Sequence, residues 1–372
     1  MFPPVVLLDG VRYMLHRFKV GLVGYQRYQG NAEEILRQII EACYDRKKRY
    51  FRTSTGHYNE FWTRDFGICA PHLINLGYRD EVRDTLRYAL SIFREYDHVS
   101  TTINPWGTPF DFPAYAPDSL AHLMRSLALV DDEKLIAQHR GFLEKKAKEY
   151  CKKVIDKKTG LVKKNIHFSS MKDYAIRSSS CYNNCMTAML SHSLSVLRIP
   201  NPFIKHDYTR LIRKHFWKKD HFIDDLSGNK SLTGDAQVFP FYCEVFFEKR
   251  MLDSCVVSMR KRRLDKPFPL RYFHKRIKEH DMLSIDWLVG GWEHDNVWPM
   301  LAMPFFAVLD AFCHPDLGGH IEKYKKLVEK HGTLLEVFTQ DGKPLRTPLY
   351  CADEGMLWSA VLLDIMQKRK NE

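Results

Sequence analysis

Val297-Trp298-Pro299-Met300-Leu301-Ala302-Met303-Pro304-Phe305-Phe306-Ala307-Val308-Leu309 is apolar at nearly every position. A helix over about 294–312 with that composition has no face for water, so other elements must cover it on all sides. The helix read over about 353–368 is similar. Those over about 31–48, 79–95 and 132–154 differ, each with one apolar stripe and a charged back. In 79–95 the stripe is Val82, Leu86, Leu90 and Phe93, the spacing of a single helical face. Buried helices alternating with half-exposed ones point to an inner ring inside an outer ring. An irregular all-helical bundle would also satisfy the periodicity.

Outward from this stretch, the same periodicity predicts helices over about 31–48, 62–76, 79–95, 117–130, 132–154, 181–198, 203–217, 234–247, 249–263, 294–312, 318–331 and 353–368. Asn31 is a suitable N-cap for the first, with Glu33 and Glu34 in its first turn. Short turns join the second helix to the third, the fourth to the fifth, and so on. Segments of about a dozen to thirty residues join the others, and loops this long are uncommon unless they carry function. Short connections force antiparallel neighbours, so all the long loops are expected at one end of the helices. No linker, low-complexity stretch or repeat divides the chain, and 1–372 reads as one domain.

The 372 residues are 45% hydrophobic and 13% aromatic, enough for a large core, which excludes a disordered chain. The apolar stretch from Met1 to Leu8 is too short to span a bilayer, and no signal-peptide layout follows it. Nine cysteines without a repeated spacing read as buried free thiols in a reducing cytoplasm rather than as disulfides or a zinc motif. No metal or cofactor is implied. The formal charge of +12 gathers in runs such as Lys145-Lys146, Lys152-Lys153 and Arg260-Lys261-Arg262-Arg263. These read as solvated outer helix faces. No zinc-finger spacing, RNA-binding signature or basic zipper accompanies them, so no specific nucleic acid and no membrane insertion are expected. Oligomeric state is left open.

The chemistry-bearing residues lie in the long connections or just after them. Phe61-Trp62-Thr63-Arg64-Asp65 opens the second helix. Trp62 offers a flat face to the C–H side of a sugar, Asp65 accepts from hydroxyls and Arg64 supplies a fork of donors. An internal Arg64–Asp65 ion pair is the competing reading. Trp106 and Asp111, in a Pro- and Gly-fixed loop, line a pocket or tack the loop down. Met171-Lys172-Asp173-Tyr174-Ala175-Ile176-Arg177 precedes the sixth helix, and alone Asp173 and Arg177 read as a surface pair. Gly290-Gly291-Trp292-Glu293-His294-Asp295-Asn296-Val297-Trp298 crowds polar groups at the mouth of the most apolar helix. Such groups need partners or a ligand. Glu336 sits in the apolar run Leu334-Leu335-Glu336-Val337-Phe338, where burial raises a carboxylate's pKa. Glu354 is a further carboxylate, a helix cap or a competitor for catalysis.

Taken in order, these segments resemble the six-hairpin glycosidases. Phe61 to Asp65 resembles the substrate-binding Trp-Thr-Arg-Asp of glucoamylases, and a similar Arg-Asp occurs in glycogen-debranching glucosidases and neutral invertases. Met171 to Arg177, followed by a Tyr-Asn-Asn helix start, resembles the debranching-enzyme and invertase segment whose Asp is the general acid, which implies Asp173. Gly291 to Leu301 resembles the Gly-rich stretch before Val/Ser-Trp-Pro in those families. Leu335-Glu336-Val337-Phe338, Asp341-Gly342 and Leu357-Trp358-Ser359-Ala360 resemble the glucoamylase and invertase ending, whose Glu is the general base, which implies Glu336. The Glu-Glu acid segment of glucoamylases is absent, and Leu357 stands where the family has Thr.

The resemblance implies an all-α fold, an (α/α)6 barrel of twelve helices, and an inverting glycoside hydrolase that takes a carbohydrate and no cofactor. Asp173 and Glu336 are its expected catalytic pair. Trp62, Arg64, Asp65, Trp106, Asp111, Arg177, Trp292, Glu293, His294, Asp295 and Trp298 are the expected substrate-binding residues. An α-glucoside is the first expected substrate and a β-fructofuranoside the second. A sugar epimerase, a uronyl hydrolase or lyase, and a non-catalytic glycan-binding protein are the alternatives from other classes.

Overall fold

The computed structural model describes residues 4–228, 231–275 and 292–370, with side chains from residue 10 onward. Thirteen helices lie among them, and the few strands are two residues long. A helix not expected from the sequence, α1 (Pro4–Val23), comes first. Then come α2 (Ala32–Cys43), α3 (Thr63–Asn75), α4 (Arg79–Glu95), α5 (Pro117–Val130), α6 (Glu133–Val154) and α7 (Cys181–Val196). The remainder are α8 (Tyr208–Phe216), α9 (Gly234–Tyr242), α10 (Lys249–Lys261), α11 (Pro299–Ala311), α12 (Leu317–His331) and α13 (Ser359–Lys368).

Local chemistry sets the boundaries. Asn31 caps α2 by accepting from the N–H groups of Glu33 and Glu34, and the Glu34 carboxylate accepts in return from the Asn31 N–H. That reciprocal pair satisfies donors a helix start leaves orphaned. The helix ends at Cys43 rather than near 48, because Asp45 takes the Lys47 and Lys48 N–H groups into a turn. A short antiparallel pair, Tyr44–Asp45 with Tyr50–Phe51, follows. Helix α11 begins at Pro299 rather than 294. Proline suits the first helical position because its missing N–H would be unpaired there. The residues before it are used elsewhere, with Val297 and Phe338 exchanging main-chain bonds of 2.7 and 2.9 Å. Helix α13 likewise starts late, since Asp353 and Leu357 hold main-chain bonds to Glu336 and Thr53.

Six helices close a ring: α3 packs on α5, α5 on α7, α7 on α9, α9 on α11, α11 on α13, and α13 on α3. These are the buried helices. In α11 every residue from Pro299 to Leu309 except Ala307 is buried. Six more, α1 apart, lie outside. Helix α2 packs on α13, α4 on α3 and α5, α6 on α5, α8 on α7, α10 on α9, and α12 on α11 and α2. Each outer helix leads through a long loop into an inner one, and the inner helices α3, α5, α9 and α11 leave by short turns. The architecture is the (α/α)6 barrel, and the N-termini of the inner helices all lie on the long-loop rim.

Helix α1 stands outside the ring and is tied to that rim. Arg12 Nη2 donates to His57 O at 3.0 Å and Glu60 Oε2 at 2.7 Å, and Arg17 Nε donates to Thr347 O at 2.9 Å. Among the described residues, no helix is long and apolar enough to cross a membrane. All nine cysteines are free thiols.

Candidate active site

A cavity opens on the long-loop rim, and five of the six long loops line it. Trp62, Arg64 and Asp65 come from the start of α3, and Asp173 from the loop before α7. Trp292, Glu293 and Trp298 precede α11, and Glu336 precedes α13. The sixth long loop, before α9, acts from behind through Asp224, which pairs with Lys172 and Arg177.

Asp173 is set in place from several sides. Arg64, itself buried, donates through Nε to Asp118 at 2.6 Å and through Nη2 to Asp173 Oδ1 at 3.1 Å. Tyr182 donates to the same Asp118 oxygen at 2.7 Å, and Ser169 donates to Asp173. The main chain is gripped by Glu293, whose two carboxylate oxygens accept from the N–H groups of Asp173 at 2.5 Å and Tyr174 at 2.8 Å. Burial pushes the Asp173 carboxyl up, with Arg64 and Ser169 opposing it. Burial, and then the charge of Asp173, push Glu293 up to about 8.

Glu336 faces the cavity from the opposite hairpin. Its Oε2 accepts from the Tyr350 hydroxyl at 2.5 Å and from the Asp353 N–H at 2.8 Å. Burial, with the negative charge of Asp353, pushes its pKa up to about 8 despite both donors. Asp65 accepts from the Trp358 indole N–H at 2.9 Å, and burial raises it to about 6 against the pull of Arg64. Aromatic rings form the walls: Trp62 lies 6.1 Å from Phe112, Trp292 5.5 Å from Trp298 and 5.1 Å from Tyr350. Buried carboxyls beside flat apolar faces suit a molecule with hydroxyl edges and C–H faces, and allow proton transfer at a bound oxygen.

Trp62, Arg64, Asp65, Asp173, Trp292, Glu293, Trp298 and Glu336 therefore meet in one cavity. Arg64 is neither a simple Asp65 partner nor a free donor, since its hydrogen bonds hold Asp118 and Asp173. Five other expected residues are elsewhere. Trp106 is 65% exposed at a turn built on Asn104, and Asp111 accepts from His98 and Thr101. Arg177 is not a surface partner of Asp173. It is buried against Asp224 and Asp235 at 3.3 and 2.8 Å, a network that Lys172 shares. His294 is buried, its carbonyl accepting from the Phe273 N–H, and Asp295 pairs with Gln340. Gly290 and Gly291 lie outside the described residues. Glu354 accepts from the Gln26 N–H at 2.6 Å and does not line the cavity.

The sequence reading missed Tyr58, Phe112, Met171, Tyr272 and Tyr350, and gave Asp118 no role. Phe112 sits beside the expected Asp111 and takes the wall position instead. Asp118 carried one available signal, an acid in the first turn of an inner helix.

No protein-family model and no curated protein matches the chain. Solved structures do. A rhamnosidase from Klebsiella oxytoca, with rhamnose bound, superposes with a TM-score of 0.63 at 12% identity over 93% of this chain and 66% of its own. A GH63 mannosylglycerate hydrolase from Thermus thermophilus, in complex with Tris and D-glycerate, gives 0.60 at 12% identity over 90% of this chain and 100% of its own. A bacterial glucoamylase complexed with acarbose gives 0.63 at 12% identity over 90% and 54%. The chain thus spans just under two thirds of the rhamnosidase and about half of the glucoamylase. By its ring of hairpins and by these superpositions, the chain has the (α/α)6 barrel fold of the six-hairpin glycosidases.

Proposed function

We propose that the protein is an inverting glycoside hydrolase acting on an α-glucoside. The observation that carries this reading is the pair Asp173 and Glu336, one half-buried and one buried carboxyl, both with raised pKa values, in one aromatic-walled cavity. Asp173, protonated, gives its proton to the leaving oxygen. Glu336, ionised, takes a proton from water on the opposite face of the sugar, and the water oxygen attacks the anomeric carbon. Because Tyr350 and Asp353 both bond Oε2, Oε1 is the oxygen left for that water. Asp65 and Trp62 hold the sugar, and Glu293 positions Asp173 through its main chain. The choice of glucose is supported by the glucoamylase-like segment Trp62 to Asp65 and by the glucoamylase among the similar structures. The nine free thiols support a reducing, cytoplasmic setting.

The test is incubation with maltose, sucrose and an unsaturated uronide, followed by NMR in the first minutes. Glucose released from maltose, initially as the β-anomer, is expected. Retained configuration overturns the mechanism. Turnover of sucrose alone, or of the uronide alone, overturns the substrate.

A further inference from the structure

We propose that His16, His57 and Asp353 form a binding site for one divalent transition cation of the zinc class. The three are far apart in sequence and have no shared motif spacing, but their ligand atoms lie within 4.8 Å of one another and all three side chains are buried. His57 Nδ1 is 3.2 Å and His16 Nε2 3.6 Å from the same oxygen, Asp353 Oδ1. Two ligands at tetrahedral positions around zinc, with bonds of roughly 2.0–2.1 Å, sit about 3.3 Å apart. The spacing is that of ligands around a shared ion.

Hydrogen-bond bookkeeping points the same way. His16 Nε2 and His57 Nδ1 have no hydrogen-bond partner among the described residues, although His16 is 8% and His57 2% exposed. A buried polar atom without a partner is costly. A carboxylate offers about four lone-pair positions. Ser54 Oγ and the Tyr58 N–H fill two of these on Asp353 Oδ2, and the His57 N–H fills one on Oδ1. The remaining position is on Oδ1, the oxygen both imidazoles approach. Gly56 permits this, since a Cβ there would stand 1.9 Å from Asp353 Oδ1. Two imidazoles and one carboxylate suit zinc better than magnesium or calcium, which take oxygen ligands.

The ion would join three separate pieces of chain. His16 is on α1, His57 on the loop before α3, and Asp353 on the loop before α13. Asp353 is also the residue whose N–H donates to Glu336. The cation therefore fastens α1 onto the rim and stiffens the support of that carboxylate. None of the three ligand residues lines the cavity itself.

The experiment uses the full chain, freed of metal by chelator and titrated with Co2+ and then Zn2+. About one equivalent of Co2+ should bind, with the intense visible absorption of a low-coordinate nitrogen–oxygen site, and Zn2+ should displace it. Zn2+ should also raise Tm in a concentration-dependent way. His16→Ala removes a ligand from α1, outside the ring, and should fold with an unchanged far-ultraviolet spectrum while losing most of the affinity, about 100-fold or more. Should that variant fail to fold, His16→Gln takes its place with the same expectation. Wild-type protein that binds neither ion saturably, or a folded His16 variant that binds both as well as wild type, overturns the proposal. None of these readouts requires a glycosidase substrate, so the result stands apart from the proposed activity.

Discussion

Tyr350 donates its hydroxyl to Glu336 Oε2 and meets the Tyr58 hydroxyl at 3.1 Å. A donor to a carboxylate favours the ionised form. Tyr350→Phe keeps the ring against Trp292 and removes only that donor, so the Glu336 pKa should rise further above about 8. The acidic limb of kcat/KM reports the base in the free enzyme, and should move to higher pH by about one unit, or about 1.4 kcal/mol. An unmoved limb means that Glu336 is not the titrating base. The acid is tested separately. Asp173→Asn should cost roughly 10²–10⁴ in kcat/KM for an ordinary glycoside, spare activated aryl glycosides and remove the alkaline limb. Glu336→Gln should slow all substrates alike, and azide should partly rescue Glu336→Ala with inverted product. If Asp173→Asn is equally slow with activated aryl glycosides, Asp173 is a positioning residue and Glu293 becomes the acid. Residue types and local context made Trp62, Asp65 and Glu336 readable. They could not distinguish Arg177 from a sugar ligand, because its partners Asp224 and Asp235 are 47 and 58 residues away.

Helices α3 and α5 approach closely in the inner ring at Gly67. A Cβ there would stand 2.4 Å from the His122 Cβ, so Gly67→Ala must force the two helices apart. Such overpacking costs about 1–3 kcal/mol. Gly141, on the exposed side of α6, has nothing within 4 Å of the same added atom. Gly141→Ala should therefore stabilise by about 0.5–1 kcal/mol, because it only restricts the unfolded chain and favours helix. Urea midpoints of the two variants should move in opposite directions, and a neutral Gly67→Ala would show that the ring is looser than its geometry. The twelve barrel helices were legible because each has an apolar stripe or a wholly apolar surface. Helix α1 was not, because its pattern is inverted. Val11, Leu15, Phe18 and Leu22 face outward, while Arg12, His16 and Arg17 make the contacts that hold it. A periodicity that assumes apolar-in polar-out gives no guidance there. The starts of α11 and α13 differ for a related reason: main-chain bonds to distant loops, invisible in a local window, hold the residues before each helix. Helix α2 stops early because Asp45 draws the chain into a turn.

For the whole molecule, the barrel carries the energetic burden of a site filled with acids. Glu336 is held at about 8 in the folded protein, against about 4.3 for an unfolded glutamate. Between those values the folded state binds more protons than the unfolded state, so this group's contribution falls as pH rises. The penalty is absent below about 4.3, grows through the window at roughly 1.4 kcal/mol per unit, and is complete above about 8. Glu293, also raised to about 8, and Asp65, raised to about 6, act in the same direction. Glu336→Gln removes the charge and retains an acceptor for Tyr350 and Asp353. The variant should therefore match wild type in urea stability at about pH 4.5, exceed it at about pH 7, and exceed it most at about pH 9. It should also be inactive at all three. A stability difference that stays constant with pH would show that Glu336 ionises in the folded protein as readily as in the unfolded chain. The aromatic cavity would then not raise its basicity, and the acid and base roles would have to rest on position alone.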